Sequence, residues 1–364
     1  MKHYYNIITT IFLFAGLLSC ACNNEVYFLS EPYVYVRDVY SVEKQAARII
    51  TEGENYNACE MLVEDSLCIL YTPSRHDFFF AIFDINTGNH IGEFCRRGNG
   101  PFESTNMCPI TETYRENGHL IADVLDVDKE RIIKWDITAS IKDGNTVYSD
   151  MRKWNWRDEI GAPLDFYSKI NDIEFFMVSI IEPFGDIKKV ITPRFEVRSA
   201  NDCKLLNKYQ VFRDSVAEYG GLGEWGEYSP FICKFSMNPS KTKLAMGMGN
   251  YPQINILDIY TGNLRCFRVQ GTPNVNVSKN INYYSSICCD NQYIYALYQN
   301  KDNALAYYSN GTKGLNPCQI HIFDWNGHLV SKWQLDTFYH DISIYANKLY
   351  TIRYDSGIIA EYDI

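Results

Sequence analysis

The chain has 364 residues and carries 44 acidic against 34 basic side chains, a formal net charge of -10 at neutral pH. Binding to nucleic acid depends on clustered Lys and Arg that displace counterions from phosphates, and because no such basic run occurs, the sequence argues against that function. Aromatic residues make up 15% of the chain, and since Tyr and Phe favour half-buried sheet surfaces, the composition favours an all-β protein.

The first predicted element is an export signal at residues 1–19. Lys2 precedes an apolar run at residues 7–18 that is too short to span a bilayer stably. The run ends in Leu17-Leu18-Ser19-Cys20, which resembles the lipobox of bacterial lipoproteins. This resemblance implies that the Cys20 thiol receives a diacylglycerol and that Cys20 becomes the first mature residue. The alternative is an ordinary secretory signal with a chance cysteine.

The mature chain is interpreted as a short tether followed by one domain. Residues 20–25 form the lipid-anchored tether and residues 26–364 form the domain. Within residues 26–40 we expect a strand that completes the last sheet of a ring, which would remove free sheet edges. Residues 41–54 could form a short helix.

One sequence pattern recurs along the domain: an apolar strand, an Asp or equivalent residue, a short turn and a second strand. A Gly lies in the turn of the three clearest copies, where positive φ is needed. The markers are Asp84, Asp136, Ser199, Asp258, Asp324 and Asp363. An alternating strand precedes most of these units. Six copies predict a six-bladed β-propeller of four-stranded blades, and a β-sandwich is the alternative.

The segment at residues 60–103 resembles a protein family. Its Phe-Asp-Ile-Asn-Thr-Gly hairpin ends at Gly88, and Arg96, Arg97 and the loop Gly98-Asn99-Gly100-Pro101-Phe102-Glu103 follow. This order resembles the lipid-anchored six-bladed propeller proteins of the Bacteroidota, often called TolB-like, although Phe102 stands where that family usually has Gly. The resemblance implies a propeller fold and a location in the cell envelope, at the outer membrane, and it supplies no activity.

The same loop is a candidate ligand site, because two Arg side chains could bind a carboxylate or a sulfate. Its residues are Arg96, Arg97, Gly98, Gly100, Pro101 and Glu103. The alternative is a structural crossover between the first two blades, and a disulfide between Cys95 and Cys108 could close it. We otherwise expect most cysteines to be small buried apolar residues.

A second candidate loop contains Trp225 within Gly221-Leu222-Gly223-Glu224-Trp225-Gly226. This sequence spells a dinucleotide motif, but it lacks the parallel-strand context, so we interpret it as an exposed loop that shapes a binding face.

Metal binding and catalysis find little support in the sequence. Asp123, Asp126 and Asp128 could offer oxygens to calcium, but because a strand alternates its side chains between faces, a solvated blade edge is the favoured interpretation. We predict no metal, no cofactor and no catalytic residue.

The leading functional hypothesis is a cell-envelope lipoprotein whose propeller is a non-catalytic binding or scaffold module for a protein, peptide or glycan. Aromatic loops at residues 154–156 and 224–228 would supply anchors, unless these residues pack in the core. One alternative is an envelope hydrolase or lyase that acts on glycans or peptides with channel carboxylates as acid and base. Another is a structural subunit with a large exposed apolar patch. The expected partners are the membrane, through the lipid anchor, and an envelope ligand, with no nucleic acid.

Overall fold

The computed structural model describes residues 29–39, 41–51, 57–154, 164–179, 193–213, 232–272, 281–302, 315–353 and 356–364. Within these ranges the chain forms six sheets. Five are built on four antiparallel strands that are consecutive in the chain, and the sixth is built on three such strands and one strand from the N-terminal part of the chain. The first strand of each sheet lines a common axis, and the sheets surround it as blades in chain order. The prediction of an all-β six-bladed propeller is confirmed.

Within each blade, successive strands lie progressively farther from the axis and closer to the rim. Blade 1 contains β4 (Glu60–Glu64), β5 (Leu67–Tyr71), β6 (Phe78–Asp84) and β7 (His90–Arg96). Blade 2 contains β8 (Tyr114–Glu116), β9 (His119–Asp126), β10 (Arg131–Asp136) and β11 (Tyr148–Lys153). Blade 3 contains β12 (Leu164–Asn171), β13 (Glu174–Ser179), β14 (Arg194–Ser199) and β15 (Leu205–Tyr209).

The remaining blades include three strands from the N-terminal part of the chain. Blade 4 contains β16 (Cys233–Met237), β17 (Lys243–Met248), β18 (Gln253–Asp258), β19 (Leu264–Val269) and an added β1 (Tyr33–Val36). Blade 5 contains β20 (Ile281–Cys289), β21 (Tyr293–Asp302), β22 (Gln319–Asp324), β23 (Leu329–Gln334) and an added β2 (Glu43–Lys44). Blade 6 contains β24 (Asp341–Tyr345), β25 (Lys348–Ile352), β26 (Ile359–Asp363) and β3 (Arg48–Thr51).

Each marker residue of the repeated pattern is the last residue of the third strand of its blade. In the four blades where a hairpin turn follows this strand, blades 1, 3, 4 and 5, the reason is local, because a short polar side chain at this position accepts backbone N–H groups of the turn. In blade 4, Oδ1 of Asp258 accepts from Tyr260 N at 3.1 Å and from Thr261 N at 2.9 Å. Oγ of Ser199 makes the equivalent bonds in blade 3.

In blade 2 the marker residue starts a helix instead of a hairpin turn. Oδ1 of Asp136 accepts from Ala139 N at 2.8 Å and caps α1 (Ile137–Asp143), which ends at Gly144 with φ 67°. This helix was not predicted from the sequence. No helix in the described ranges is long and apolar enough to cross a bilayer.

An N-terminal strand closes the ring, but it is not in the segment predicted from the sequence. β3 pairs antiparallel with β26, whereas β1, which lies in the expected region 26–40, pairs parallel with β19 on the rim of blade 4. The helix expected within residues 41–54 is also wrong, because the described part of that segment forms β2 and β3. Unpaired N–H and C=O groups at the open rims of blades 5 and 6 offer hydrogen bonds that outweigh a weak helical tendency.

Residues 29–39 and 41–51 therefore form a belt around the outer rim. At the start of the belt, Ser30 N donates to Val211 O at 2.9 Å, just beyond blade 3. The belt then pairs with blades 4, 5 and 6 and ends against blade 1, where a Cβ atom on Gly88 would overlap the carbonyl oxygen of Ile50. A single segment thus connects five blades.

Aromatic side chains fill the spaces between blades. Phe80 of blade 1 stacks on Trp135 of blade 2, with ring centroids 5.2 Å apart. Trp154 is 1% exposed and lies 5.7 Å from the ring of Phe175, and its Nε1 donates to Ser199 O. Trp154 is therefore a core residue and not a surface anchor. The other aromatic anchors that the sequence suggested, residues 156 and 224–228, lie outside the described ranges.

The contact between the belt and blade 1 gives a prediction with a matched control. Gly88 and Gly262 occupy the same hairpin position in blades 1 and 4, and both have φ 74°. Alanine at either site carries the strain of positive φ, but only at Gly88 does it also overlap the backbone of β3. We expect Gly88→Ala to lower the free energy of unfolding by about 1–3 kcal/mol more than Gly262→Ala, measured by denaturant unfolding. Equal losses would contradict the belt contact.

Candidate functional site

The inner strands of the six blades enclose a cavity of about 700 Å³ on the ring axis. Because side chains alternate along a strand, each inner strand presents every second residue to the cavity. In β4 these are Glu60, Leu62 and Glu64, while Met61 and Val63 are buried behind them. The charged lining residues are Glu60, Glu64, Glu112, Lys169, Asp172, Lys234, Lys241 and Asp341.

Asp341 connects three inner strands. Its Oδ2 accepts from Met61 N of β4 at 2.6 Å, and its Oδ1 accepts from the Ser286 hydroxyl of β20. Asp341 itself is the first residue of β24, so a single carboxyl group joins blades 5, 6 and 1. Beside it, Ser343 Oγ accepts from Val63 N at 3.0 Å, which adds a second link between blades 6 and 1.

The environment of Asp341 favours its protonated form. Burial raises the pKa of Asp341 to about 7, and the nearby Glu60 carboxylate acts in the same direction. The hydrogen bonds from Ser286 and Met61 and the charge of Lys234 act in the opposite direction. The residue is only 9% exposed, so its carboxyl group links neighbouring blades and offers little surface to a ligand in the cavity.

Glu112 makes an equivalent connection on the other side of the ring. It precedes β8, and its Oε1 accepts from Lys169 N at 2.6 Å and from Ser168 Oγ at 3.2 Å, both in β12. Its Oε2 contacts Nζ of Lys241, in the turn after β16. Burial lowers the pKa of Lys241 to about 8, and the nearby Cys289 acts in the opposite direction. Glu112 thus joins blades 2, 3 and 4.

An ion pair crosses the cavity. Nζ of Lys234 on β16 lies 3.4 Å from Oε1 of Glu60 on β4. Blades 4 and 1 are opposite each other in a ring of six, so the two side chains meet across the axis. The side chains are 44% and 39% exposed, and solvent-exposed pairs of this kind contribute about 0–1 kcal/mol. The pair can therefore open at little cost.

The Cys289 thiol in the cavity wall is not activated as a nucleophile. Cys289 Sγ donates to Met237 O at 3.0 Å and lies 3.1 Å from Ser236 Oγ. Burial raises the pKa of Cys289 to about 12, so its thiolate is scarce at neutral pH. All cysteines in the described ranges are free thiols, including Cys95 and Cys108, and the disulfide considered for that pair is not formed.

The two arginines of the loop at residues 96–103 have separate partners. The Arg97 guanidinium stacks on the Phe79 ring at 3.8 Å and donates to Pro73 O. The Arg96 side chain is 67% exposed, and its Nε lies 3.7 Å from Oε1 of Glu103.

The rest of this loop is held by blade 2. Lys129 Nζ donates to Gly100 O at 2.6 Å, and Arg131 donates to Pro101 O at 2.7 Å. Gly98 has φ 148°, and a Cβ atom there would overlap the Glu103 carboxylate. These are the contacts of a crossover between blades, and the loop does not line the cavity. Ligand binding by the loop stays a prediction, as do the roles of Cys20 and Trp225, which lie outside the described residues.

The three aspartates considered for calcium also have separate partners. Asp126 is fully buried and lies 2.8 Å from Nε of Arg131, so a solvated edge is wrong for this residue. Asp123 accepts from the Tyr114 hydroxyl, and Asp128 from the Thr105 hydroxyl. Within the described part of the chain, no group of three His, Cys, Asp or Glu side chains is placed to hold a metal ion.

The charged groups of the cavity were not identified from the sequence. A signal was present in the first strand of the first repeat, where Glu60 and Glu64 flank the apolar residues 61–63. Because side chains alternate along a strand, Glu60 and Glu64 lie on one face, and this polar face could have selected Glu60.

No family model matches the chain, and no curated protein matches it. Solved structures with a similar fold include a member of the DUF4221 family from Bacteroides vulgatus, at 13% identity and a TM-score of 0.58, with 89% of this chain and 96% of that chain covered. A luciferin-regenerating enzyme matches at 10% identity and a TM-score of 0.53, with 88% and 95% covered. An exported protein from Bacteroides fragilis matches at 10% identity and a TM-score of 0.50, with 91% and 99% covered. These identities show a likeness of fold alone.

The raised pKa of Asp341 predicts a pH-dependent stability. An unfolded Asp titrates near pH 4, so between about pH 4 and pH 7 the folded state binds more protons than the unfolded state. The free energy of unfolding then falls as pH rises through this window, by up to about 1.4 kcal/mol per pH unit from this group. We expect Asp341→Asn to remove that contribution in denaturant unfolding at a series of pH values.

Asp258→Asn, in a hairpin outside the cavity, is the control. The pKa of Asp258 is lowered, so its own contribution is lost only at lower pH, and this variant should keep the wild-type slope between about pH 5 and pH 7. An unchanged slope in Asp341→Asn would show that Asp341 titrates normally.

Proposed function

We propose that this protein is a cell-envelope lipoprotein whose propeller is a non-catalytic binding module, with its ligand site in the central cavity. The observation that carries the proposal is that two cavity carboxylates, those of Glu112 and Asp341, are already bonded to residues of neighbouring blades. Glu112 and Asp341 each connect three blades through hydrogen bonds and contacts. Acid–base catalysis needs groups that can reach a substrate proton, whereas these two groups are already engaged in the scaffold.

The same proposal places the protein at the outer membrane, attached through a lipid on Cys20. The support is the sequence Leu17-Leu18-Ser19-Cys20, with residues 20–25 as the tether of a single domain at residues 26–364. One protein of similar fold is described as exported, and the TolB-like propeller resemblance of residues 60–103 agrees with an envelope location. The membrane and an envelope protein, peptide or glycan are the proposed partners, and nucleic acid is not.

An envelope hydrolase or lyase is the second candidate, and one observation favours it. Asp341, with its pKa near 7, lies close enough to Glu60 for the two carboxyl groups to interact, and such pairs serve as acid and base in enzymes. A protein of similar fold is a luciferin-regenerating enzyme. The burial of Asp341 and the engagement of both its oxygens favour binding over catalysis.

A structural subunit would present one large apolar patch. The exposed apolar side chains of the described residues instead lie on several blades, as Phe102, Ile173 and Val330 illustrate. Such dispersed residues are normal on a soluble surface.

The lipid anchor gives a direct test. In cells that express the full chain, we expect Cys20→Ser to move the protein from the detergent phase to the aqueous phase of a phase-separating detergent, because the diacylglyceryl thioether cannot form. Mass spectrometry of the wild type should show the added lipid on Cys20. Cys22→Ser is the matched control and should stay in the detergent phase. Detection of unmodified Cys20 in the mature wild type would contradict the anchor.

The cavity gives a second test. We expect components of a peptidoglycan digest or of an oligosaccharide panel to bind the wild type in saturation-transfer NMR without being consumed. Leu62→Trp, which fills the cavity from β4, should abolish the signals, while Val330→Trp on the outer strand β23 should not. If binding persists in Leu62→Trp, the ligand site lies outside the cavity. Steady consumption of a bound component would favour the hydrolase or lyase.

A further inference from the structure

Carboxyl groups outnumber ammonium groups on the wall of the central cavity. Among the described residues that line it, five carry a carboxyl group and three carry an ammonium group. Each ammonium group has a carboxylate partner, and the pairs are Lys241 with Glu112, Lys169 with Asp172, and Lys234 with Glu60. The other two carboxyl groups belong to Asp341 and Glu64. The cavity therefore attracts cations more strongly than anions.

Glu64 has no hydrogen bond or ion pair within the described part of the chain. It is the last residue of β4, and its half-buried side chain faces the cavity. Burial raises the pKa of the Glu64 carboxyl, and the charge of Arg115 acts in the opposite direction. The Arg115 guanidinium itself contacts the Asp65 carboxylate and donates to Gly118 O at 2.7 Å. Glu64 thus offers a carboxylate that a cationic ligand can neutralise.

Glu60, at the start of the same strand, can accept a second cation. Lys234 contacts Oε1 of this carboxylate, and a carboxylate accepts hydrogen bonds on both oxygens. Burial, and next the Glu60 carboxylate, raise the pKa of Asp341, and the opposing effect of Lys234 is smaller. The potential at this end of the cavity is therefore negative although Lys234 is present. A ligand ammonium can bind Oε2 of Glu60 while Lys234 keeps its contacts.

An apolar side chain separates the two carboxylates. Glu60, Leu62 and Glu64 alternate with two buried residues, so all three face the cavity. Four residues of a strand span roughly 13 Å. A chain of eight methylene groups with an ammonium at each end is roughly 11 Å long, so it matches this spacing. Ile344 of blade 6 and Phe235 of blade 4 add apolar wall.

We propose that the cavity binds an elongated organic dication, whose terminal ammonium groups pair with Glu60 and Glu64 and whose apolar chain packs on Leu62. The proposal rests on the proposed binding function, which places the ligand in this cavity, and goes beyond it in naming the ligand class. A singly charged amine leaves one carboxylate without a counter-charge, and a short diamine cannot reach both. The cavity volume of about 700 Å³ lies within the usual range of small-molecule sites.

The test is isothermal titration of the mature full chain in a non-ionic detergent. The ligands are octamethylenediamine, the amino alcohol of the same length and trimethylenediamine. We expect octamethylenediamine to bind and each of the other two to bind at least tenfold more weakly, because the amino alcohol lacks one ammonium and the short diamine reaches only one carboxylate. In Glu64→Gln, and likewise in Glu60→Gln, octamethylenediamine should bind no better than the amino alcohol.

These variants should fold, because Glu64 has no direct contact to lose and the exposed ion pair of Glu60 contributes little. Glu116→Gln, on β8 outside the cavity, is the matched control and should bind like the wild type. The proposal is overturned if octamethylenediamine does not bind, if the wild type binds the amino alcohol equally well, or if Glu64→Gln leaves the affinity for the diamine unchanged.

Failure of this proposal can be told apart from failure of the proposed function. If oligosaccharides or components of a peptidoglycan digest bind the wild type and Leu62→Trp abolishes that binding, the cavity is a binding site and only the dication is wrong. If none of these ligands binds in the cavity, both proposals fail.

Discussion

The pairing of β3 with β26 closes the ring, and the rest of the structure depends on it. Thr51 lies opposite Ile359 and Arg48 opposite Glu361 in an antiparallel register. Glu361 is held from two sides, by Arg48 Nε at 2.6 Å and by Lys348 Nζ at 2.7 Å. The hydrogen bond from Arg48, with the help of Lys348, lowers the pKa of Glu361, so its charge is maintained in the closed ring.

Closure fixes the geometry of the cavity. The seam lies between blades 6 and 1, where Asp341 accepts from Met61 N and Ser343 accepts from Val63 N. These inner contacts join blade 6 to blade 1 and position Asp341 on the cavity side of the seam. On the other side of the ring, Glu112 links blades 2, 3 and 4. Because these links join neighbouring blades around the cavity, the cavity is preorganised, which lowers the entropic cost of binding a ligand.

The blade repeat and its turns could be predicted from the sequence, and the pairing of particular distant segments could not. Asp84, Asp258 and Ser199 end their strands because their own side chains accept from the next turn, an effect that needs only a few neighbouring residues. The prediction placed the closing strand within residues 26–40 because the sequence of residues 41–54 is compatible with a short helix. The pairing that forms instead depends on contacts such as Arg48 with Glu361, 313 residues apart. Lys234 and Glu60 are 174 residues apart, so their pairing follows from the blade order and not from any motif.

Native-state hydrogen exchange tests the central claim of ring closure most directly. Amides of residues 48–51 and 359–363 should exchange only through global unfolding, with the same free energy as those of residues 348–352 in the middle of blade 6. If residues 48–51 exchange through a low-energy local opening while residues 348–352 remain protected, the N-terminal strand does not hold the ring closed.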